Sequence, residues 1–260
     1  MRKRIIYSTC LLLIVALCGA CRSRVKLPPL AETFAKNDKN PFGSFVLHNQ
    51  LEQMYYHNSI RNVKDKFEAT WQNISDTSSV YIGISKNLFL SKADLTGMLA
   101  FVYNGNSLFI SSDNIDQRLL DTLGCKVSKP FYGGFLAEMK YTSVKLATRF
   151  FNDSSSFQYF YLPFYNHFIQ LDTPRSRVLG TNKTGANFLV VFHGKGRFFI
   201  HLEPRALSNY FLLQKNNYNY LKQVFSFTPA IPEHVYWDDY YHKETIPALN
   251  WVTGQAFLSY

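Results

Sequence analysis

Between residues 79 and 123 the apolar positions switch repeatedly between two rhythms. Residues 79–85 are a β-rich apolar run and predict a buried strand. Ser91-Lys92-Ala93-Asp94 is a start of the capping-box kind, with Asp where Glu is commoner, and it predicts a helix from 91 to about 104, stopped by Gly105. Residues 107–112 predict the next strand, and 115–123 a helix ended by Gly124. Strand, helix, strand and helix at this spacing mean a parallel α/β sheet. Upstream, Asn40-Pro41 supplies a capping residue and a proline suited to the first helical turn. A helix is therefore expected from there, with Phe42, Phe45, Val46 and Leu51 as its apolar stripe.

Beyond residue 128 the pattern changes to short strands separated by turns. Residues 142–151, 157–162, 166–171 and 177–181 read as strands, with 152–156 and Asp172-Thr173-Pro174 as turns. They predict an antiparallel β block, at about 128–182, inserted into or appended to the α/β sheet. Residues 187–193 and 197–202 are strands around Gly194-Lys195-Gly196, a tight hairpin whose glycines supply positive φ. Residues 204–213 and 218–225 read as helical, Pro229 and Pro232 end that pattern, and 234–237 form a short final strand.

The apolar run at the start has a different meaning. Arg2, Lys3 and Arg4 precede residues 5–17, which are almost entirely apolar, and Cys18-Gly19-Ala20-Cys21 follows. This is the layout of a bacterial export signal. A run of about thirteen residues is short of the roughly twenty that a spanning helix needs. Cys21 after Gly19-Ala20 resembles a lipobox cysteine, although Cys18 stands where an aliphatic residue is usual. Residues 1–21 are thus expected to be a signal peptide of lipoprotein type, with Cys21 lipidated, and 22–38, with Pro28-Pro29, a tether. The chain is expected to be exported, membrane-anchored through lipid and periplasm-facing.

Composition narrows the partners. The formal net charge is +10. Removing the signal's three cations leaves +7, scattered rather than blocked, which reads as a solvated basic surface. An exported chain without a binding motif excludes nucleic acid as a partner. At 47% hydrophobic and 17% aromatic residues, a sizeable core is available. If Cys21 carries lipid, Cys125 stands alone and reads as a small buried filler rather than a nucleophile.

Three segments carry a family resemblance. Asp38-Lys39-Asn40-Pro41-Phe42-Gly43-Ser44-Phe45-Val46-Leu47 resembles a "KNPFG-(S/T)-(Y/F)-VL" signature. Gly194-Lys195-Gly196-Arg197, Glu203-Pro204 and Ser208-Asn209-Tyr210-Phe211-Leu212-Leu213 resemble "G-x-G … P … N-Y-x-L-L", and Val235-Tyr236-Trp237-Asp238-Asp239-Tyr240-Tyr241 resembles a closing "WDEYY". Together, over roughly residues 36–241, they resemble the bacterial membrane-anchored family called domain of unknown function 4350. The resemblance implies a flavodoxin-like sandwich similar to class I glutamine amidotransferases, without an established reaction. It also implies a place outside the cytoplasmic membrane and genes beside those for MoxR-type ATPases and other membrane proteins. Many members close with a transmembrane helix. Here residues 242–260 read as a tail without one, and truncation before such a helix is one reading.

An amidotransferase needs a cysteine on a strand-to-helix elbow, with a His and an acid later. The elbow expected after 107–112 reads Ser111-Ser112-Asp113-Asn114, with neither a cysteine nor G-x-S-x-G. A Ser111 or Ser112 nucleophile with His201 is the alternative to serines that merely cap the next helix. His193 and His201 flank the hairpin and could face each other, but no histidines group as metal ligands. No cofactor or metal is assigned. The aromatic stretch 159–165 could stack sugars, or alternate between core and surface. The acidic-aromatic cluster Trp237, Asp238, Asp239 and Tyr240 is the candidate binding site. Asn40 and Asn209 are expected near it, because open α/β sheets gather functional loops at strand ends. The expectation is a single α/β domain over 39–241: a non-catalytic scaffold engaging an envelope membrane protein, or alternatively a glycan-binding module, or a hydrolase or transferase.

Overall fold

A computed structural model describes residues 31–55, 60–71, 75–128, 139–147 and 156–243. The expected signal with Cys21, the first part of the tether, the turn at 152–155 and the tail from 244 lie outside the described residues. The elements are α1 (Phe45–Met54), β1 (Ile60–Val63), α2 (Phe67–Trp71), β2 (Val80–Leu88), α3 (Lys92–Tyr103), β3 (Ser107–Ile115), α4 (Gln117–Thr122), β4 (Lys126–Ser128), β5 (Lys140–Leu146), β6 (Ser156–Tyr161), β7 (His167–Gln170), β8 (Ser176–Thr181), β9 (Ala186–His193), β10 (Gly196–His201), α5 (Asn209–Leu212), α6 (Tyr218–Phe225) and β11 (Val235–Asp238). Short 3-10 turns cover Pro204–Leu207 and Tyr241–Lys243.

Among the described residues nine strands make one sheet in the order β1-β11-β2-β3-β10-β9-β8-β5-β6. The first five are parallel to one another; from β10 onward every pairing is antiparallel. The fold is therefore α/β, and the β-rich segment extends the same sheet through β9, β8, β5 and β6. Among the described residues of that segment only β7 leaves it, pairing with β4 in a separate two-stranded sheet.

Period-two alternation divides the core in two. Val80, Ile82 and Ile84 of β2, Phe109 of β3, Phe199 of β10 and Trp237 of β11 face one layer, closed by Leu47 and Leu51 of α1 and by Leu221, Val224 and Phe225 of α6. Tyr81, Leu108, Ile110, Phe198, Ile200 and Tyr236 face the other, closed by Met98, Phe101 and Val102 of α3 and Leu119 and Leu120 of α4. A strand buried on both faces reads as a continuous apolar run, which is why 79–85 and 107–112 were recognisable.

Local starts follow the chemistry with two corrections. Ser91 Oγ accepts the Asp94 N–H at 2.9 Å and Asp94 Oδ2 accepts the Ser91 N–H at 3.2 Å, completing the expected capping box of α3. The first helix, however, begins at Phe45 rather than at Asn40-Pro41. Residues 40–43 instead form a turn closed by Gly43 N–H to Asn40 O at 3.0 Å. The hairpin at Gly194-Lys195 is as expected, and Gly194 has φ +57°. Gly196 needs to be glycine for another reason: a Cβ there would lie 2.1 Å from the Asn106 carbonyl oxygen and 2.3 Å from that of Val102. Its role is close approach, not positive φ.

Candidate functional site

The chain beyond the carboxyl end of β10 carries Asn209, and the end of β11 carries the acidic-aromatic cluster. Asn209 opens α5, and its side chain holds the 38–46 loop. Its Oδ1 accepts the Val46 N–H at 2.9 Å, and its Nδ2 donates to the carbonyls of Asp38 (2.8 Å) and Asn40 (2.7 Å). Val46 is in the first turn of α1, where N–H groups lack helical partners. Ser44, in the capping position, makes no side-chain cap bond. Asn209 thus caps α1 from the far end of the sequence, and both its N–H donors are used. Asn40 is held by Asp38, whose Oδ1 accepts from its N–H (2.9 Å) and its Nδ2 (2.7 Å).

At the end of β11, Trp237 and Asp238 are interior residues, 1% and 2% exposed. Trp237 meets the His48 ring of α1 edge-on at 5.1 Å. Asp238 accepts from the Tyr81 hydroxyl at 2.9 Å and from the N–H groups of Tyr240 and Tyr241 at 3.1 Å each. Burial raises its carboxyl to about 6 against the pull of these donors. Asp239 lies at the margin, 3.0 Å from His242 Nε2 and 3.4 Å from Lys243 Nζ. The Tyr240 ring packs edge-on against Tyr241 at 5.0 Å. The cluster and the Asn209 loop are linked through α1 and through residues 31–44, where His242 Nδ1 lies 3.1 Å from the Thr33 carbonyl.

That N-terminal segment, placed in the tether by sequence, is docked from residue 31 onward. Phe34 is buried at φ +48°, and Glu32 bridges Arg205 and Lys86. Arg205 also pairs with Asp113 at 3.2 Å. Burial pushes Glu32 upward, and the two cations overcome it and hold the carboxyl below its ordinary range. Behind this network Glu203 is wholly buried; its Oε1 accepts from Asn182 (2.8 Å) and Asn187 (3.2 Å), and burial raises its carboxyl strongly.

Ser111 and His201 do meet. They are register partners on β3 and β10, with Ser111 Oγ 2.7 Å from His201 Nδ1 and His201 Nε2 2.8 Å from the Tyr220 hydroxyl. All three are sealed in the core, and burial lowers His201 to about 3, so the imidazole is neutral. The strand-to-helix elbow expected after Ser112 is absent, because β3 continues to Ile115. Ser112 donates to the Lys86 carbonyl at 3.1 Å instead of capping a helix. His193 and His201 sit at opposite ends of the β9–β10 pair and do not face each other. Cys125 is buried, its thiol raised to about 11 by burial. In the aromatic stretch Tyr159 and Phe164 are core, while Phe160, 41% exposed, forms a surface pair with Tyr141 at 5.3 Å.

The sequence offers Ser111 with His201 as one alternative, but not Tyr220 as the third member, and it does not disclose the Arg205 network. Each grouping joins residues from separate elements, and register and topology, not spacing, bring them together.

The sequence matches no protein-family model and no curated protein. Among solved structures it is similar to the mmIFT52 N-terminal domain, with a TM-score of 0.50 at 13% identity, over 70% of this chain and 89% of that one. At that identity the likeness is one of fold. Weaker similarities are to the exo-β-1,4-mannosidase Op5Man5 from Opitutaceae bacterium strain TAV5 (TM-score 0.38, 16% identity, 57% of this chain) and a β-galactosidase from Bacillus circulans sp. alkalophilus (0.36, 10%, 58%). The chain spans only 25% and 22% of the length of those two enzymes.

Proposed function

We propose that this chain is an exported, lipid-tethered, non-catalytic binding module of the domain of unknown function 4350 kind, engaging an envelope membrane protein. The observation that carries the reading is the sealed Ser111–His201–Tyr220 relay. A serine nucleophile needs access to substrate and a histidine able to take its proton. Ser111 is wholly buried, His201 is held neutral to about pH 3, and its second nitrogen meets a tyrosine hydroxyl where a triad places a carboxylate. The same positions serve as a hydrogen-bonded core contact.

A flavodoxin-like class I amidotransferase-type frame is the finer fold we propose. Its support is strand order. Taken as β11, β1, β2, β3 and β10, the parallel strands stand in the flavodoxin order 2-1-3-4-5, with the first strand moved to the end of the chain. The switch point then lies between β11 and β2, where Asp238 ends β11 and Lys86 of β2 pairs with Glu32.

The test uses the full chain in its native membranes. A fluorophosphonate probe is expected to leave it unlabelled, and in-cell crosslinking is expected to recover a membrane protein equally with wild type and Ser111→Ala. Labelling that disappears in Ser111→Ala would overturn the proposal. A second reading, glycan binding, is favoured by the exposed Tyr141–Phe160 pair, with Lys215 Nζ 5.6 Å from the Tyr141 ring centre. Glycan-array binding lost in Tyr141→Ala would select it.

A further inference from the structure

The amino ends of β2 and β11 carry a second polar cluster. The two strands are parallel neighbours, so the segments leading into them meet. Glu233 N–H donates to the Ser78 carbonyl at 3.2 Å and Val80 N–H to the His234 carbonyl at 2.9 Å. On this frame Asp76, Glu233 and His234 each bring one ligand-capable atom within 4.8 Å of the other two. These side chains also make hydrogen bonds of their own. Asp76 Oδ2 accepts from Ser79 Oγ and from the Tyr236 hydroxyl, both at 2.7 Å. Glu233 Oε2 accepts from the Thr77 N–H at 3.3 Å. His234 Nδ1 bonds the Glu233 carbonyl. A carbonyl can only accept, so Nδ1 is the donor, and in the neutral ring Nε2 is then the nitrogen with the lone pair. That is the tautomer a metal requires, fixed in the way outer carbonyls orient metal-binding histidines.

We propose that Asp76, Glu233 and His234 form a three-ligand site for a divalent cation of the zinc class. Asp76 Oδ1, Glu233 Oε1 and His234 Nε2 take no part in the hydrogen bonds just given and would serve as the ligand atoms. One imidazole nitrogen with two carboxylate oxygens suits zinc, whereas calcium and magnesium favour all-oxygen sets. Three protein ligands leave a fourth position for water. The cation relieves the repulsion of two adjacent carboxylates and ties the lead-in of β11 to that of β2. Asp76 and the Glu233-His234 pair lie at far ends of the described sequence, so no ligand spacing announces the site.

The experiment is calorimetric titration of zinc chloride into the untagged full-length chain in detergent, after chelator treatment. One zinc per chain is expected, at low micromolar affinity or tighter, with a zinc-dependent rise in Tm. Glu233→Gln and His234→Gln are each expected to weaken binding at least about tenfold and to abolish the Tm rise. Glu233 is exposed and its exchange removes a repulsive charge, so the zinc-free Tm is not expected to fall, which separates lost binding from lost folding. No saturable binding, full affinity retained in either variant, or tighter binding of magnesium or calcium than of zinc would overturn the site.

Discussion

Two carboxyl groups are buried beyond the carboxyl ends of parallel strands in one sheet, and their surroundings treat them differently. Asp238 closes β11 and receives a tyrosine hydroxyl and two backbone N–H groups. Glu203 follows β10 and receives two side-chain amides on one oxygen, while its other oxygen has no hydrogen-bond partner among the described residues. Donors on both oxygens let a buried carboxylate keep its charge within reach of neutral pH; donors on one do not. Asp238 accordingly titrates near 6 and Glu203 far above the ordinary range. Neither the acidity of a sequence cluster nor its burial predicts this. The geometry of the turn after β11, which aims two N–H groups at one side chain, does.

The sharpest way to break the contrast is to delete each neighbour in the Asp238-Asp239 pair. Asp238→Ala strands a buried hydroxyl and two N–H groups, and is expected to cost about 3–5 kcal/mol in denaturant unfolding. Asp239→Ala removes marginal pairs with His242 and Lys243 and is expected to cost less than about 1 kcal/mol. Equal losses would show that the turn does not organise its donors around Asp238.

Titration sharpens the same point. The folded Asp238 carboxyl, near 6, lies above its unfolded value of 3.8. The folded state therefore holds the proton more tightly, and the stabilisation is complete below 3.8 and lost as pH rises through 6. The difference amounts to about 3 kcal/mol. Asp238→Asn does not titrate, so wild-type stability measured against this variant is expected to fall by that amount between pH 3.5 and 7. A flat difference would mean an unshifted carboxyl.

Asn209 offers a smaller test at the other family-like motif. Asn209→Ala uncaps α1 at Val46 and strands the carbonyls of Asp38 and Asn40, an expected loss of about 2 kcal/mol. Amide exchange at Val46 is expected to rise with it. Unchanged exchange there would remove Asn209 from its capping role.

What the sequence disclosed follows from where burial is two-sided. β2, β3, β9 and β10 run through the middle of the sheet, so their apolar runs are continuous and their bounds were nearly right. β1 was missed, because Ile60-Arg61-Asn62-Val63 is a four-residue edge strand exposing its two polar residues. The start of α1 was misplaced because its cap is supplied by Asn209, which no local rule can see. Of the motif residues, Asn209 and Asn40 are bonded directly, and Asn209 caps the helix whose His48 meets Trp237.

The finest test returns to Glu203. Arg205 is two residues away, yet its guanidinium is engaged by Glu32 and Asp113 and does not neutralise the buried carboxyl. Burial thus favours the protonated form of Glu203 in the fold, whereas the unfolded side chain ionises near 4.5. A folded value above the unfolded one makes stability greatest below 4.5 and lowers it as pH rises. Glu203→Gln keeps an acceptor for Asn182 and Asn187 and cannot ionise. At pH 4 it should lie within about 1 kcal/mol of wild type, and its relative stability should increase steadily from pH 5 to pH 8. If the two stability curves stay parallel over that range, Glu203 does not change its protonation on folding. The contrast between the two strand ends would then rest on hydrogen-bond number alone, without the difference in charge that it implies here.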